Sequence, residues 1–568
     1  MLLRTISEAL AKAFTAHGLD GALGRAQWSS RFDGLQCNGI MAAGLKGAQA
    51  QELATRIAET VSQHGSVHKA TVAGPGFINI HLSQDALANV ALTAARDITA
   101  LIPKADTPHR IVIDFGGPNI AKPMHVGHLR SCLIGDCLQR LARALGHQVT
   151  SDIHLGDWGL PMGMLVDALA RAPIPDLTLD ALNVLYPQAA QACKQDEARL
   201  DAARRATARL QQKQSEAMTC WQQMLDVTIA GLREDLDRLG VRFDRWDGEA
   251  TTAEDLPGLT EHLQERVIAR VDDGALIVPT DLEDTPPLIL RTRDGLYSYA
   301  ATDLATIARR NSEVTPDYIW YVVDERQHLH FAQIFAAARK AQIAPAEQAL
   351  EHIGFGTVNG PDGKPFKTRE GGVMRLRDLL DNAYNQAQTR VGELRGAGQD
   401  AREESQDIAH AVGLAAIKYA DLSNYRRSDY RFDLARFMTF EGRTGPYLLY
   451  AAVRMASILR KAQEEDIEKK TRLEDLDTQD FCDNTRTLAI TIARLPDALN
   501  LAFDRRAPSD LCSYAYDLAQ AFSAFYTNVP VLTDDERRRR KRLVLVRATH
   551  QALTCVLGLL GIKVIDRM

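Results

Sequence analysis

Residues 111–153 restrict the fold more than any other stretch of the chain, because they spell a strand, a glycine-containing turn, a helix and a returning strand in immediate succession. Ile111-Val112-Ile113 is a β-branched strand. Apolar side chains then recur at Leu129, Leu133, Ile134, Cys137, Leu138, Leu141 and Leu145, which is helical spacing. Gly146 ends that helix, and Val149-Thr150-Ser151-Asp152-Ile153 reads as the return. The turn between them, Asp114-Phe115-Gly116-Gly117-Pro118-Asn119-Ile120-Ala121-Lys122-Pro123-Met124-His125-Val126-Gly127-His128, places two histidines at a helix N-terminus. Free N–H groups and the positive end of the helix dipole attract an anion there, and Gly127 lets a ligand approach the backbone. His125 and His128 would add donors toward charge developing on a phosphoryl group. Taken alone, the same two histidines would serve equally as capping or surface residues.

At 568 residues the chain exceeds one hydrophobic core, and three or four domains are expected. Its 45% hydrophobic and 25% charged content is that of a globular protein in water. No apolar run approaches a membrane span, and Met1-Leu2-Leu3-Arg4-Thr5 does not open a signal peptide, so no membrane partner is expected. The 8 cysteines contain no Cys-x-x-Cys pair, which predicts neither a zinc site nor a disulfide framework and fits a cytoplasmic protein. A net charge of −6 speaks against non-specific coating of nucleic acid while leaving room for local basic patches. Arg537-Arg538-Arg539-Arg540-Lys541-Arg542 is either such a patch or a solvated helix face balanced by Asp534-Asp535-Glu536.

The predicted organisation is α/β. A doubly wound, Rossmann-like parallel-sheet catalytic domain (108–405) is flanked by a small N-terminal α+β domain (1–98) and an all-α C-terminal bundle (406–568). In the first domain, helices near Leu2–His17 and Gln49–His64 accompany strands near Val67–Val72 and Phe77–Leu82. In the second, Tyr318–Val323 is a near-continuous apolar run of the kind found in buried parallel strands. Charge-rich helical sequence at about 179–239 interrupts the α/β pattern. In the third, helical runs lie near Ala411–Leu422, Tyr447–Lys461, Leu488–Leu501, Leu511–Phe525 and Arg542–Leu560.

The stretch around His125-Val126-Gly127-His128 resembles the first signature of class I aminoacyl-tRNA synthetases. Pro118–Pro123 and Gly156-Asp157-Trp158-Gly159 are similar to the arginyl branch of that family. The resemblance implies that His125, Gly127 and His128 bind ATP, with Lys122 a further cation beside them. Gly363-Lys364-Pro365-Phe366-Lys367-Thr368-Arg369 resembles the arginyl variant of the second signature, in which Lys364 and Lys367 would hold phosphates as point charges on flexible stems. Taken alone, that segment would also pass as an exposed turn.

An arginine site needs carboxylates in the plane of the guanidinium fork. By resemblance, Tyr299 and Asp303 of Tyr297-Ser298-Tyr299-Ala300-Ala301-Thr302-Asp303 bind the guanidinium, although Asp303 would also suit a helix cap. Asn119 matches the residue near the α-amino group, with Asp114 close by. Gln327 matches another polar contact, and Glu249 a second carboxylate if Gly-Glu-Ala stands for the family's Gly-Glu-Ser. Two departures are Gly116-Gly117, where the family commonly has a serine, and Pro161, where it often has a glutamine.

Gly74-Pro75-Gly76-Phe77-Ile78-Asn79-Ile80 resembles the family's N-terminal added domain, which touches the tRNA corner, and points to Phe77 and Asn79 as contacts. Glu441–Arg454 and Gly561–Met568 resemble the anticodon-binding domain, where Tyr447 and Tyr450 would stack on unpaired bases. Phe77, Tyr447 and Tyr450 would also fit as packing residues. The implied activity is ATP-dependent activation of L-arginine and its transfer to the terminal adenosine of tRNA(Arg), by a monomer. Mg²⁺ would be held mainly by the ATP phosphates. The rivals are a catalytically weak tRNA-binding paralogue and a nucleotidyltransferase sharing the His-x-Gly-His site.

Overall fold

The computed structural model describes residues 1–360, 363, 374–395, 402–463 and 482–568. They form two compact units.

The first, Ala105–Ala387 with Ala420–Arg436, is built on a four-stranded sheet. Its strands lie in the order Ala349–His352, Tyr318–Val322, Arg110–Phe115, Gln148–Asp152, and every pairing is parallel. The helix Val126–Ala144 connects Arg110–Phe115 to its neighbour Gln148–Asp152, while the chain crosses to the other side to add Tyr318–Val322. The winding therefore reverses between Arg110–Phe115 and Tyr318–Val322. The crevice beyond the carboxyl ends of strands at such a reversal is where open α/β sheets bind ligands. Ser131 ties the two strand ends together: its hydroxyl accepts from Gly116 N at 2.7 Å and donates to the Val322 carbonyl at 2.7 Å.

The expected insertion is three helices, Leu179–Gln195, Glu197–Gln211 and Ser215–Leu239. Thr178 and Asp196 cap the first two. Ala203 and Thr207 of the second pack on the helix Leu160–Arg171, where a Cβ on Gly163 would strike the Ala203 carbonyl. Pro161 lies in the first turn of Leu160–Arg171, where an amide has no intrahelical acceptor, so the proline removes no hydrogen bond from the fold.

The second unit comprises Met1–Lys104, Gln388–Tyr419 and Phe437–Met568. Its antiparallel sheet runs Ala26–Trp28, Leu35–Cys37, Phe77–Leu82, Val67–Ala73. The helices Leu2–Ala16 and Gly47–Ser62 bury Ile6, Leu10, Ile57 and Val61 as part of its core. Helices Gly445–Gln463, Asp483–Ala493, Leu495–Asp504, Pro508–Asn528 and Glu536–Leu559 make the bundle.

Two features differ from the expectation. The run near Leu488–Leu501 is two helices, because Pro496 sits in the first turn of the second and cannot continue the first. The helix Gln84–Arg96, not anticipated as a helix although it lies within the expected α+β residues 1–98, packs on the bundle: Ala88 and Leu92 contact Val544, and Gln551 donates to the Ala95 carbonyl at 3.1 Å. In the basic run, Arg538 and Arg540 pair with Asp535 and Glu536, and Lys541 is buried, so much of its charge is compensated within the helix. Among the described residues no helix is long and apolar enough to cross a membrane.

Candidate active site

The two histidines open the helix Val126–Ala144 and cap it. His125 Nδ1 accepts from Gly127 N at 3.0 Å, and His128 Nδ1 accepts from His125 N at 3.1 Å. A Cβ at Gly127 would come within 2.7 Å of the His125 ring, so the glycine makes room for that cap. The rings stack with centroids 3.9 Å apart. Since both Nδ1 atoms accept, each neutral imidazole carries its proton on Nε2 and presents it as a donor. Burial, then Lys122, lowers His125, and burial, His125 and Lys122 push His128 down to about 3. Both rings are therefore neutral at pH 7.

Lys122 lies 4.1 Å above the ring of Tyr186. The backbone before it is unusual: Gly116, Gly117 and Ala121 have φ of 91°, 48° and 64°. The turn thus requires left-handed conformations at Gly116 and Gly117, which a serine would adopt only under strain. Asn119 is exposed, and its side chain lies where a Cβ on Gly156 would sit.

The expected arginine ligands fall into two groups. Asp114, at the end of its strand, is buried and accepts from Arg310 at 2.7 Å; the same nitrogen donates to Asp152 at 2.6 Å. Burial raises Asp114, and Arg310 and His154 only partly offset this. Burial opposes the charge of Asp152 as well, but His154 and Arg310 hold it well below the usual carboxylate range. His154 is lifted to about 9, burial notwithstanding, by Asp152 and Asp114. Asp114, Asp152 and His154 have the donor types of a metal cluster. The Arg310 guanidinium already bridges the two carboxylates, so this trio does not fit a metal ion.

The second group is Tyr299, Asp303 and Glu249. Tyr299 begins the helix Tyr299–Glu313 and is 59% exposed. The N-cap is Ser298, so Asp303 lies in the second turn and is not the cap. Its Oδ2 lies 2.6 Å from His330 Nε2. Glu249 is held by its backbone: Glu249 N donates to the Leu155 carbonyl at 3.1 Å, and Ala250 N to Asp157 Oδ1 at 2.9 Å. Burial, then the Asp157 carboxylate, with Asp303 adding to it, lifts Glu249 to about 8. Asp157 itself is raised to about 6 by burial. Burial, then Glu249 and Tyr186, raises the Tyr299 phenol. Glu249, Asp303 and Tyr299 thus act on one another, and Glu249 keeps its proton at neutral pH until a cation favours its charged form. Gln327 is exposed in the turn after the Tyr318–Val322 strand, on the same side of the sheet as the histidines. Lys364 and Lys367 lie outside the described residues.

Residues not singled out by sequence are Ser131, Asp152, His154, Asp157, Arg310 and His330. Arg310 had a visible signal, as a charged residue one turn beyond the buried Thr306 and Ile307.

In the other unit, Phe77 and Asn79 are half-buried on one face of their strand, while Ile78 and Ile80 are buried on the other. Asn79 Oδ1 accepts from Gln36 Nε2 at 2.7 Å. Tyr447 is half-buried and its hydroxyl accepts from Gln520 at 3.1 Å. Tyr450 receives a 2.6 Å hydrogen bond from Arg454, whose guanidinium also lies over the Tyr450 and Tyr526 rings. These three residues, with Lys461, Leu532 and Met568, line a cavity of about 690 Å³.

Comparison with known proteins covers the same regions. Residues 92–434 match the family model "tRNA synthetases class I (R), catalytic domain", residues 448–568 the DALR anticodon binding domain, and residues 1–82 the arginyl tRNA synthetase N terminal domain. The arginine–tRNA ligase of Maricaulis maris is 43% identical over 588 residues, covering 99% of each chain. That of Hyphomonas neptunium is 43% identical over 595 residues, covering 100% of both. The arginyl-tRNA synthetases of Plasmodium falciparum (TM-score 0.82, 24% identity, 100% of this chain and 98% of that one) and Thermus thermophilus (TM-score 0.81, 23% identity, 100% of both) share the fold. With its two histidines at the sheet's reversal point and family matches from residue 1 to residue 568, the chain belongs to the arginyl-tRNA synthetases of class I.

Proposed function

We propose that the protein is an arginine–tRNA ligase. A carboxylate oxygen of arginine attacks the α-phosphorus of ATP, the bond to the bridging oxygen breaks, and pyrophosphate leaves. A hydroxyl of the terminal adenosine of tRNA(Arg) then attacks the adenylate's carbonyl carbon, losing its proton as AMP departs. No side chain becomes covalently attached. The Nε2–H donors of His125 and His128, the helix N-terminus and Lys122 stabilise charge on the phosphates, joined by Lys364 and Lys367. Mg²⁺, the expected companion of ATP, would take phosphate oxygens and water as ligands.

Asp303, Glu249 and Tyr299 receive the guanidinium, with Gln327, Asn119 and Asp114 as further contacts to arginine. Phe77 and Asn79 meet the tRNA corner. Tyr447 and Tyr450 meet the anticodon, with the Tyr450–Arg454–Tyr526 cavity as the base-stacking site. In this reading residues 1–98 serve the tRNA corner, 108–405 catalysis and 406–568 the anticodon. A monomer in the cytoplasm completes the reading.

One observation carries this reading: a neutral two-imidazole donor site and a pair of interacting carboxyl groups, Asp303 and Glu249, occupy the same α/β unit, one suited to phosphate and the other to guanidinium. A nucleotidyltransferase would have no use for the DALR bundle. The test is charging of purified tRNA with each amino acid in turn. Charging by arginine alone is expected; charging by another amino acid, or none, would overturn the reading.

A further inference from the structure

Two contacts join the helical insertion to the first signature directly, and a third reaches it through Arg375. Ala121, fully buried and left-handed at φ 64°, donates its amide to the buried Thr228 hydroxyl at 3.1 Å. The next residue, Lys122, places its ammonium 4.1 Å from the centre of the Tyr186 ring. Asp180, on the same helix as Tyr186, accepts from Arg375 at 2.7 Å. Arg375 in turn forms a backbone bridge to His125, and Val126 N donates to the Met374 carbonyl at 3.0 Å.

A lysine on a four-carbon stem otherwise samples many rotamers. A carboxylate partner would fix it but also neutralise it, and would compete with phosphate. An aromatic face fixes the cation by its quadrupole and leaves the charge unneutralised. Among the described residues no carboxylate pairs with Lys122, so the π-face is what orders it. We propose that Tyr186 of the insertion is a positioning residue for the activation step: its ring holds Lys122 beside the histidines so that the ammonium meets the ATP phosphates without a search. Thr228 holds the backbone just before Lys122, and Asp180 holds the side chain of Arg375, whose backbone pairs with His125. This rests on the reading of Lys122 as a phosphate-binding cation, made above.

The test is ATP–pyrophosphate exchange by the full chain with arginine and tRNA present, comparing wild type, Tyr186→Phe, Tyr186→Leu, Lys122→Ala and the double variant Lys122→Ala/Tyr186→Leu. Leucine keeps apolar bulk without a π-face, which protects the fold. The expected result is a fall of about 2- to 5-fold in kcat for Tyr186→Leu, with KM for ATP and arginine within about 2-fold. Tyr186→Phe should run near the wild-type rate, and the double variant should be no slower than Lys122→Ala. A purely structural tyrosine would move both Michaelis constants and would add its loss to that of Lys122→Ala. If Lys122→Ala is slow but Tyr186→Leu is silent or additive, the tether is wrong and the cation's role stands. If Lys122→Ala itself exchanges at the wild-type rate, the phosphate-binding role falls and the tether with it.

Discussion

His330 Nε2 lies 2.6 Å from Asp303 Oδ2, so the carboxylate assigned to the arginine guanidinium is oriented by a residue from the next helix. One oxygen of Asp303 is engaged with the imidazole, and the other is available for the substrate. The pairing divides the labour between a contact and its support.

Asp303→Asn should therefore lower kcat/KM for arginine by roughly 2–4 kcal/mol, about 30- to 1,000-fold, because a buried cation loses its counter-charge. His330→Ala should cost less, about 0.5–1.5 kcal/mol, since it removes one hydrogen bond from the support. In both variants the KM for ATP should stay within about 2-fold, as Asp303 belongs to the carboxylate group and not to the histidine pair. Steady-state kinetics with each substrate varied in turn decides this. An unaltered specificity constant for arginine in Asp303→Asn would shift the guanidinium assignment to Glu249.

Glu249 supplies a pH signature. Its carboxyl, lifted to about 8 in the free protein, is protonated at neutral pH. A guanidinium favours the ionised form, so binding arginine expels the proton, and affinity should rise as pH increases toward 8 and level off above it. One released proton corresponds to a slope of up to about tenfold per pH unit. Glu249→Gln should flatten this slope. Calorimetric titrations of arginine at several pH values, in buffers of different ionisation enthalpy, measure both the affinity and the proton. Wild-type binding that is flat between pH 6.5 and 8 would contradict the assignment.

The histidine pair makes the opposite prediction. His128 is held down to about 3 by burial, His125 and Lys122, so no inflection near pH 6.5 should come from its protonation. The adenylation rate should nevertheless fall by about 10²–10³ in His125→Ala or His128→Ala, the usual effect of losing one preorganised donor. Single-turnover adenylate formation at saturating ATP and arginine is the measurement. A rate within a few-fold of wild type would take these residues out of the chemistry.

Much of this site was readable from residue spacing. Ile111–Ile113, the periodic helix and Gly146 at φ 93° appear where the pattern placed them, and the returning strand, expected at Val149–Ile153, lies one residue earlier at Gln148–Asp152, because local propensity and burial agree there. The helical insertion was legible for the same reason. The order of the strands was not, since periodicity says which residues face a core and nothing about which strand lies beside which. Arg310 illustrates the limit further: it reaches Asp114 across 196 positions of sequence and Asp152 across 158, and nothing local announces either partner. The helix Gln84–Arg96 was not read from the pattern at all; it falls within residues 1–98, yet its apolar face is satisfied by the bundle.

That last packing decides how the dependence on tRNA should be tested. The family resemblance leads to the expectation that ATP–pyrophosphate exchange needs tRNA as well as arginine, with contacts at the corner and anticodon supplying binding energy for closure of the lysine loop. Removing residues 1–98 would also remove the helix Gln84–Arg96 and uncover the bundle, so loss of activity would report unfolding as readily as lost recognition. Phe77→Ala and Asn79→Ala are better probes, because both side chains are half-buried on a face of the sheet opposite its buried Ile78 and Ile80. Each base-stacking aromatic contributes about 1–3 kcal/mol in single-stranded recognition. Phe77→Ala should accordingly weaken tRNA binding by roughly 5- to 150-fold. Exchange at subsaturating tRNA should slow in parallel and recover when tRNA is raised, with ATP binding unchanged. Full exchange with arginine and ATP alone, and no gain on adding tRNA, would show a site already assembled in the free protein and would break the proposed coupling.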